Sequence, residues 1–108
     1  VNWFRKSSQG KFLWPGFGEN SRVLKWMCER IDGRAGAVKT AIGLLPDNGS
    51  LDTKGLSVPE ANMKEILNVD TDAWKAEVES IEKHFSQFGD RLPARMRQQL
   101  EELRKRLG

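Results

Sequence analysis

Three phenyl rings and one side-chain amide stand close together at the front of this sequence: Phe4, Phe12, Phe17 and Asn20. Rings of this kind can sandwich a flat base, at about 1–3 kcal/mol per stacked base. A base slot also needs a polar reader. Asn20 carries a donor and an acceptor on one amide, and guanine presents complementary groups on its edge. Trp3 and Trp14 fall in the same stretch, so five of the nine aromatic residues lie within the first seventeen of 108. A plainer account stays open, in which the rings form a small core and Asn20 only caps a helix.

Other candidate chemistry is sparse. Gly16-Phe17-Gly18 gives half of a GxGxxG turn, but Ser21 stands at the third glycine position, and no GxxxxGK[ST] loop occurs. A glycine-rich turn that feeds a helix still presents free N–H groups to an acceptor. Cys28 is the sole cysteine and His84 the sole histidine. One cysteine excludes an internal disulfide and a cysteine-based zinc site. One histidine excludes two-histidine metal motifs and leaves a histidine-centred triad without support. The carboxylates Glu77, Glu79, Glu82, Glu101 and Glu102 alternate with Lys and Arg, as on a solvated helical face. No catalytic residue and no metal ligand is assigned.

Charge points weakly in the same direction as the aromatics. Lys and Arg number 18 against 15 Asp and Glu, a net charge of +3. Residues 1–56 carry nine basic and five acidic side chains, and residues 57–108 carry nine and ten. A basic, aromatic front admits two binding classes, a nucleotide site or a grip on single-stranded nucleic acid. A third class is purely structural, with the aromatics sealing a junction. No run approaches the ~20 apolar residues of a membrane span, and VNWFRK has none of the features of a signal peptide.

The elements that must position these residues can be read from breakers and periodicity. VNWF (1–4) and FLW (12–14) read as strands of a short aromatic hairpin around a polar loop, 5–11. Pro15, Gly16 and Gly18 predict a shaped loop. Asn20 or Ser21 then caps a helix whose apolar face is Val23, Leu24, Met27, Cys28 and Ile31, with Gly33 after its end. AIGLL (41–45) reads as a short strand or an extended packing segment. Ser57-Val-Pro-Glu60 has a capping-box pattern that starts a helix through about Leu67. Asp70 opens another, with Trp74, Val78, Ile81, Phe85 and Phe88 on one face. Pro93 restarts a helix with Met96, Leu100, Leu103 and Leu107 in the same rhythm. Two stripes joined by a short break predict an antiparallel helical hairpin. The fold class expected is α+β, with a mostly helical back.

VNWFRK and GKFLWPGFGENSRVLKWM, followed by AIGLLP, DTDAWKAEVESIEKHF and FGDRLPARMRQQLEEL, closely resemble the C-terminal region of GTP-dependent phosphoenolpyruvate carboxykinases. The resemblance spans nearly the whole chain, and FLWPGFGENSR is its most specific part. It implies a fragment of a larger α/β enzyme, with a guanine-binding strand and loop segment at 1–22 and a mostly helical segment at 23–108. It implies that Phe4, Phe12 and Phe17 hold the guanine of GTP or GDP, that Asn20 contacts the base, and that Phe17-Gly18-Glu19-Asn20 is the nucleotide signature. Trp3 would help shape the pocket wall. The reaction implied is oxaloacetate plus GTP to phosphoenolpyruvate, GDP and CO₂ in gluconeogenesis, in the cytoplasm, with Mn²⁺ or Mg²⁺. The phosphate loop, metal ligands and substrate arginines of the family lie upstream of the matching residues. The resemblance therefore implies that this stretch alone is inactive, with the guanine nucleotide and the remainder of the enzyme as its partners, oxaloacetate or phosphoenolpyruvate bound elsewhere, and neither nucleic acid nor membrane among them.

Overall fold

The computed structural model describes residues 2–108 and has the α+β composition expected: four α-helices and one two-stranded antiparallel sheet. The chain divides into two compact units. One runs up to Lys39 and includes Leu44–Asn68; the other comprises Thr40–Gly43 and Val69–Gly108.

In the first unit the aromatic front is not a pair of strands. Val1 lies outside the described residues, and Trp3 and Phe4 form a turn. The cause is local: the Asn2 Oδ1 accepts the Phe4 N–H at 3.1 Å. An Asn side chain that bonds the backbone two residues on competes with a strand ladder. What remains of the expected hairpin is a single antiparallel bridge between Lys6 and Phe12. It is closed by Leu13 N–H to Arg5 O at 3.0 Å and by Ser7 N–H to Lys11 O at 2.8 Å.

Helix α1 covers Asn20–Ile31 and follows directly on a single 3₁₀ turn, Phe17–Glu19. Its C-terminus is a Schellman motif. Arg34 N–H reaches Glu29 O at 2.8 Å, Gly33 N–H reaches Arg30 O at 3.1 Å, and Gly33 takes φ 72° as the C′ residue. The inner face differs from the expected one. Trp26 is buried, with Val23 and Met27 packed on its cluster, whereas Leu24, Cys28 and Ile31 are exposed. Val23, Trp26 and Met27 are spaced three and four apart and share a face. The Trp26 indole fixes that face inward by donating to Gly36 O and Ser50 Oγ, both at 3.1 Å.

The cluster of this unit is Trp14, Trp26 and Leu51, ringed by Trp3, Val23, Met27, Leu56, Met63 and Ile66. Strands β1 (Ala37–Thr40) and β2 (Gly43–Pro46) follow α1. A Cβ at Gly36, just before β1, would meet the Asp47 carboxylate, which would have to turn aside. Helix α2 (Glu60–Leu67) starts at Pro59 without the expected capping-box bond from Ser57. The fixed φ of Pro59, −58°, starts the helix instead. Arg5 donates to Ile66 O at 3.1 Å and so ties the front loop to the end of α2.

The second unit is the expected helical hairpin. Helices α3 (Thr71–Ser86) and α4 (Ala94–Leu107) enclose Val78, Leu100 and Leu107, with Trp74, Ile81, Phe85, Leu103 and Ala41 around them. Asp70 caps α3 by accepting the Ala73 N–H at 3.0 Å. Phe88 and Met96, expected on the buried stripes, are exposed. Phe88 lies past the last residue of α3, so the helical rhythm no longer sets its direction. The connection instead buries Leu92. Arg104 joins α4 to α3 through Glu82 and Glu79, and Glu101 lies on its own helix. Those carboxylates hold the guanidinium above its ordinary value, the Glu82 hydrogen bond foremost. Arg106 donates to Ala41 O at 2.8 Å, which fastens the tip between β1 and β2. Among the described residues, no helix is long and apolar enough to cross a membrane.

Candidate functional site

The predicted site residues occupy the bridged loop, the 3₁₀ turn and the first residue of α1. The bridge brings two of the three phenyl rings together. Phe4 and Phe12 meet edge to face, with centroids 6.3 Å apart. Both remain accessible, Phe4 at 74% and Phe12 at 58%. Lys6, the bridge partner of Phe12, places its Nζ 5.1 Å from the Phe12 centroid, a cation–π contact. A depression of about 270 Å³ lies beside Phe12, lined by Ser7, Ser8, Gln9, Lys11, Leu13 and Asn62. Phe17 and Asn20 do not line it.

Phe17 stands apart from the other two rings. It opens the 3₁₀ turn and is 95% exposed. Gly16 makes this presentation possible: at φ 106° it reverses the chain in a conformation that residues with a Cβ rarely adopt. The Asn20 N–H closes the turn on Phe17 O. Glu19 is held by Arg22 at 2.5 Å, and Arg22 also donates to Asp52 O at 3.0 Å. Asp52 in turn accepts from Lys25 at 3.2 Å and from the Lys54 N–H at 3.1 Å. The Lys54 N–H and then Lys25 hold the Asp52 carboxyl below its ordinary value. Gly18 has no positive φ, and a Cβ there would meet no atom of the described residues within 4 Å.

Asn20 is half-buried and does not act as the helix cap that its position suggested. It is already inside α1, and its Oδ1 accepts the Trp14 indole N–H at 2.9 Å. Ser21, the alternative cap, likewise lies within α1, and Glu19 takes the cap position without a side-chain bond. Trp14 itself is buried in the cluster with Trp26 and Leu51, and Trp3 packs against that cluster half-buried. Trp3 and Trp14 therefore belong to the core of the unit, while the phenyl rings are exposed. Sequence reasoning placed Trp14 in the aromatic front but missed its bond to Asn20. The two residues are six apart across a Pro/Gly loop, a separation to which no periodic pattern applies.

Among the described residues, no group of three or more His, Cys, Asp or Glu side chains could hold a metal ion. Cys28, expected in the core of α1, is exposed. His84 lies in the other unit against Phe85 and Phe88, at centroid distances of 6.4 and 5.3 Å.

Comparison with known proteins places these features in a family. The profile of the phosphoenolpyruvate carboxykinase C-terminal P-loop domain matches residues 1–106. The chain is 52% identical over 108 residues to phosphoenolpyruvate carboxykinase [GTP] of Treponema pallidum, covering 99% of this chain and 18% of that protein. It is 55% identical over 108 residues to the protein of the same name from Neocallimastix frontalis, again covering 99% and 18%. It is 49% identical to the cytosolic form from Gallus gallus, covering 99% of this chain and 17% of that protein. The chain thus spans less than a fifth of the length of these relatives. It belongs to the phosphoenolpyruvate carboxykinase (GTP) family, within the C-terminal P-loop domain.

Proposed function

We propose that this chain is the base-selecting part of a GTP-dependent phosphoenolpyruvate carboxykinase. In that enzyme oxaloacetate loses CO₂, and the electron pair of the broken bond stays behind as an enolate. The enolate oxygen then takes the γ-phosphoryl group of GTP, giving phosphoenolpyruvate and GDP. Such transfer depends on positioning and on stabilisation of charge. The segment 1–22 supplies positioning at the guanine end: Phe4, Phe12 and Phe17 hold the ring, Trp3 backs the pocket, and Phe17-Gly18-Glu19-Asn20 carries the reader. Residues 23–108 form the mostly helical support.

The observation that carries this reading is the exposure of all three phenyl rings while both tryptophans beside them are at least half-buried. Aromatic residues bury large areas when they can. Rings left in solvent beside a formed core are available to a ligand or to another part of a larger protein. The proposed occupant is the purine of GTP or GDP. The metal, Mn²⁺ or Mg²⁺, would be held outside these residues and would supply charge neutralisation at the phosphates. Oxaloacetate and phosphoenolpyruvate are likewise bound elsewhere. The setting proposed is the cytoplasm, in gluconeogenesis.

The test is Phe17→Ala and Asn20→Ala in the full-length enzyme. Each is expected to raise the KM for GTP by about tenfold, the loss of one stacked or hydrogen-bonded contact. Asn20→Ala should also narrow the preference for GTP and ITP over ATP. Unchanged nucleotide kinetics in both would sink the assignment. The 108-residue chain alone should show no turnover, and calorimetry should find no micromolar GTP binding, because the phosphates lack their partners.

A further inference from the structure

We propose that Trp14 is a positioning residue for nucleotide choice, because its indole N–H fixes which end of the Asn20 amide is free to read a base. This rests on the guanine-site reading above and adds a residue that does not itself touch the nucleotide.

An indole nitrogen only donates, whereas a side-chain amide has an accepting end and a donating end. The 2.9 Å contact between Trp14 Nε1 and Asn20 therefore fixes the amide with Oδ1 toward the indole. Nδ2, with its two hydrogens, is the end left over. Among the described residues it donates to no protein acceptor. The lock is stiff at both ends. Trp14 is buried against Trp26 and Leu51, and the Asn20 backbone is held by α1 and by its N–H bond to Phe17 O.

A free amide is a poor discriminator. Turned one way it donates to the carbonyl of a 6-oxopurine. Turned over, it accepts from the amino group of a 6-aminopurine. With Oδ1 turned to the indole, Nδ2 is the end presented to a base, and an amino group at that place meets donor with donor. Both groups then go unpaired, the arrangement that rejects an analogue most strongly. Trp14 thus turns a two-way amide into a one-way reader of 6-oxopurines.

The decisive experiment removes the N–H and keeps the ring. β-(3-Benzothienyl)alanine, which has sulfur in place of the indole N–H, is placed at position 14 of the full-length enzyme. The KM for GTP should rise about three- to tenfold, the worth of one neutral hydrogen bond. The kcat with GTP should stay unchanged, and the GTP-over-ATP preference should narrow by a similar factor. In an Asn20→Ala background the same replacement should alter neither. Equal losses in both backgrounds would show that Trp14 acts only through packing, and so would an unchanged preference beside a damaged Asn20→Ala variant. If Asn20→Ala itself leaves the preference intact, the guanine-site reading fails first. A parallel variant, Asn20→Asp, does not disturb the Trp14 ring. It keeps an acceptor for the indole but offers no donor, and it should lose the GTP preference as fully as Asn20→Ala. Retention of that preference would overturn the proposed orientation.

Discussion

The two units of this chain treat their large apolar side chains in opposite ways. In the α3–α4 hairpin, the side chains spaced four and three apart lie against one another, and Val78 is only 2% exposed. In the unit that holds the aromatic front, Phe4, Phe12, Phe17, Leu24 and Ile31 lie open, with Ile31 at 86%. The core of that unit rests instead on two tryptophans whose N–H groups are each hydrogen-bonded. The hairpin is organised by period, and period is a burial signal. The front is organised by polar anchors at particular atoms, which leaves its phenyl rings uncommitted within the chain.

The contrast can be broken by measuring stability on both sides of it. Leu100→Ala should give the largest effect, a loss of about 2–5 kcal/mol by urea denaturation, because it opens a cavity in the α3–α4 core. Asp70→Ala should cost about 1 kcal/mol, since it orphans the Ala73 N–H at the start of α3. Phe17→Ala should move stability by no more than about 0.5 kcal/mol, as for a surface site. A loss at Phe17 as large as that at Leu100 would erase the distinction. The smallest effect expected is at Asp52, and it appears only in acid. The folded protein holds its carboxyl below the ordinary 3.8. Its contribution is therefore present above that value and fades as pH falls through the lowered one. Asp52→Asn should flatten that part of the stability–pH curve, and an unchanged slope would show that the Lys54 and Lys25 contacts do not persist in solution.

Legibility in the sequence follows the same division. The paired helices could be read because the spacing of Trp74, Val78, Ile81 and Phe85 repeats in Leu100, Leu103 and Leu107. The start of α3 at Asp70 was legible from its side-chain chemistry. Helix α1 was legible as a helix but not in its orientation, since Leu24, Cys28 and Ile31 fit an apolar stripe as well as Val23 and Met27 do. Bulk and the two indole hydrogen bonds of Trp26 settled the matter. The β1–β2 hairpin was only half visible, because its tip, Ala41-Ile42, lacks the Asn-Gly type of turn signal. At the front, residue types pointed to rings and an amide. The Asn2 turn that cancels a strand, and the Trp14 bond that orients the Asn20 amide, depend on distances that no spacing rule encodes.

The outward turn of Cys28 has a practical use. It is the sole thiol in the chain, and it lies exposed on α1 eight residues beyond Asn20. At the rise of an α-helix, a dye or spin label attached there would stand about 12 Å from the amide along the axis. The helix thus comes with its own attachment point, two turns from the amide and clear of every residue of the reader.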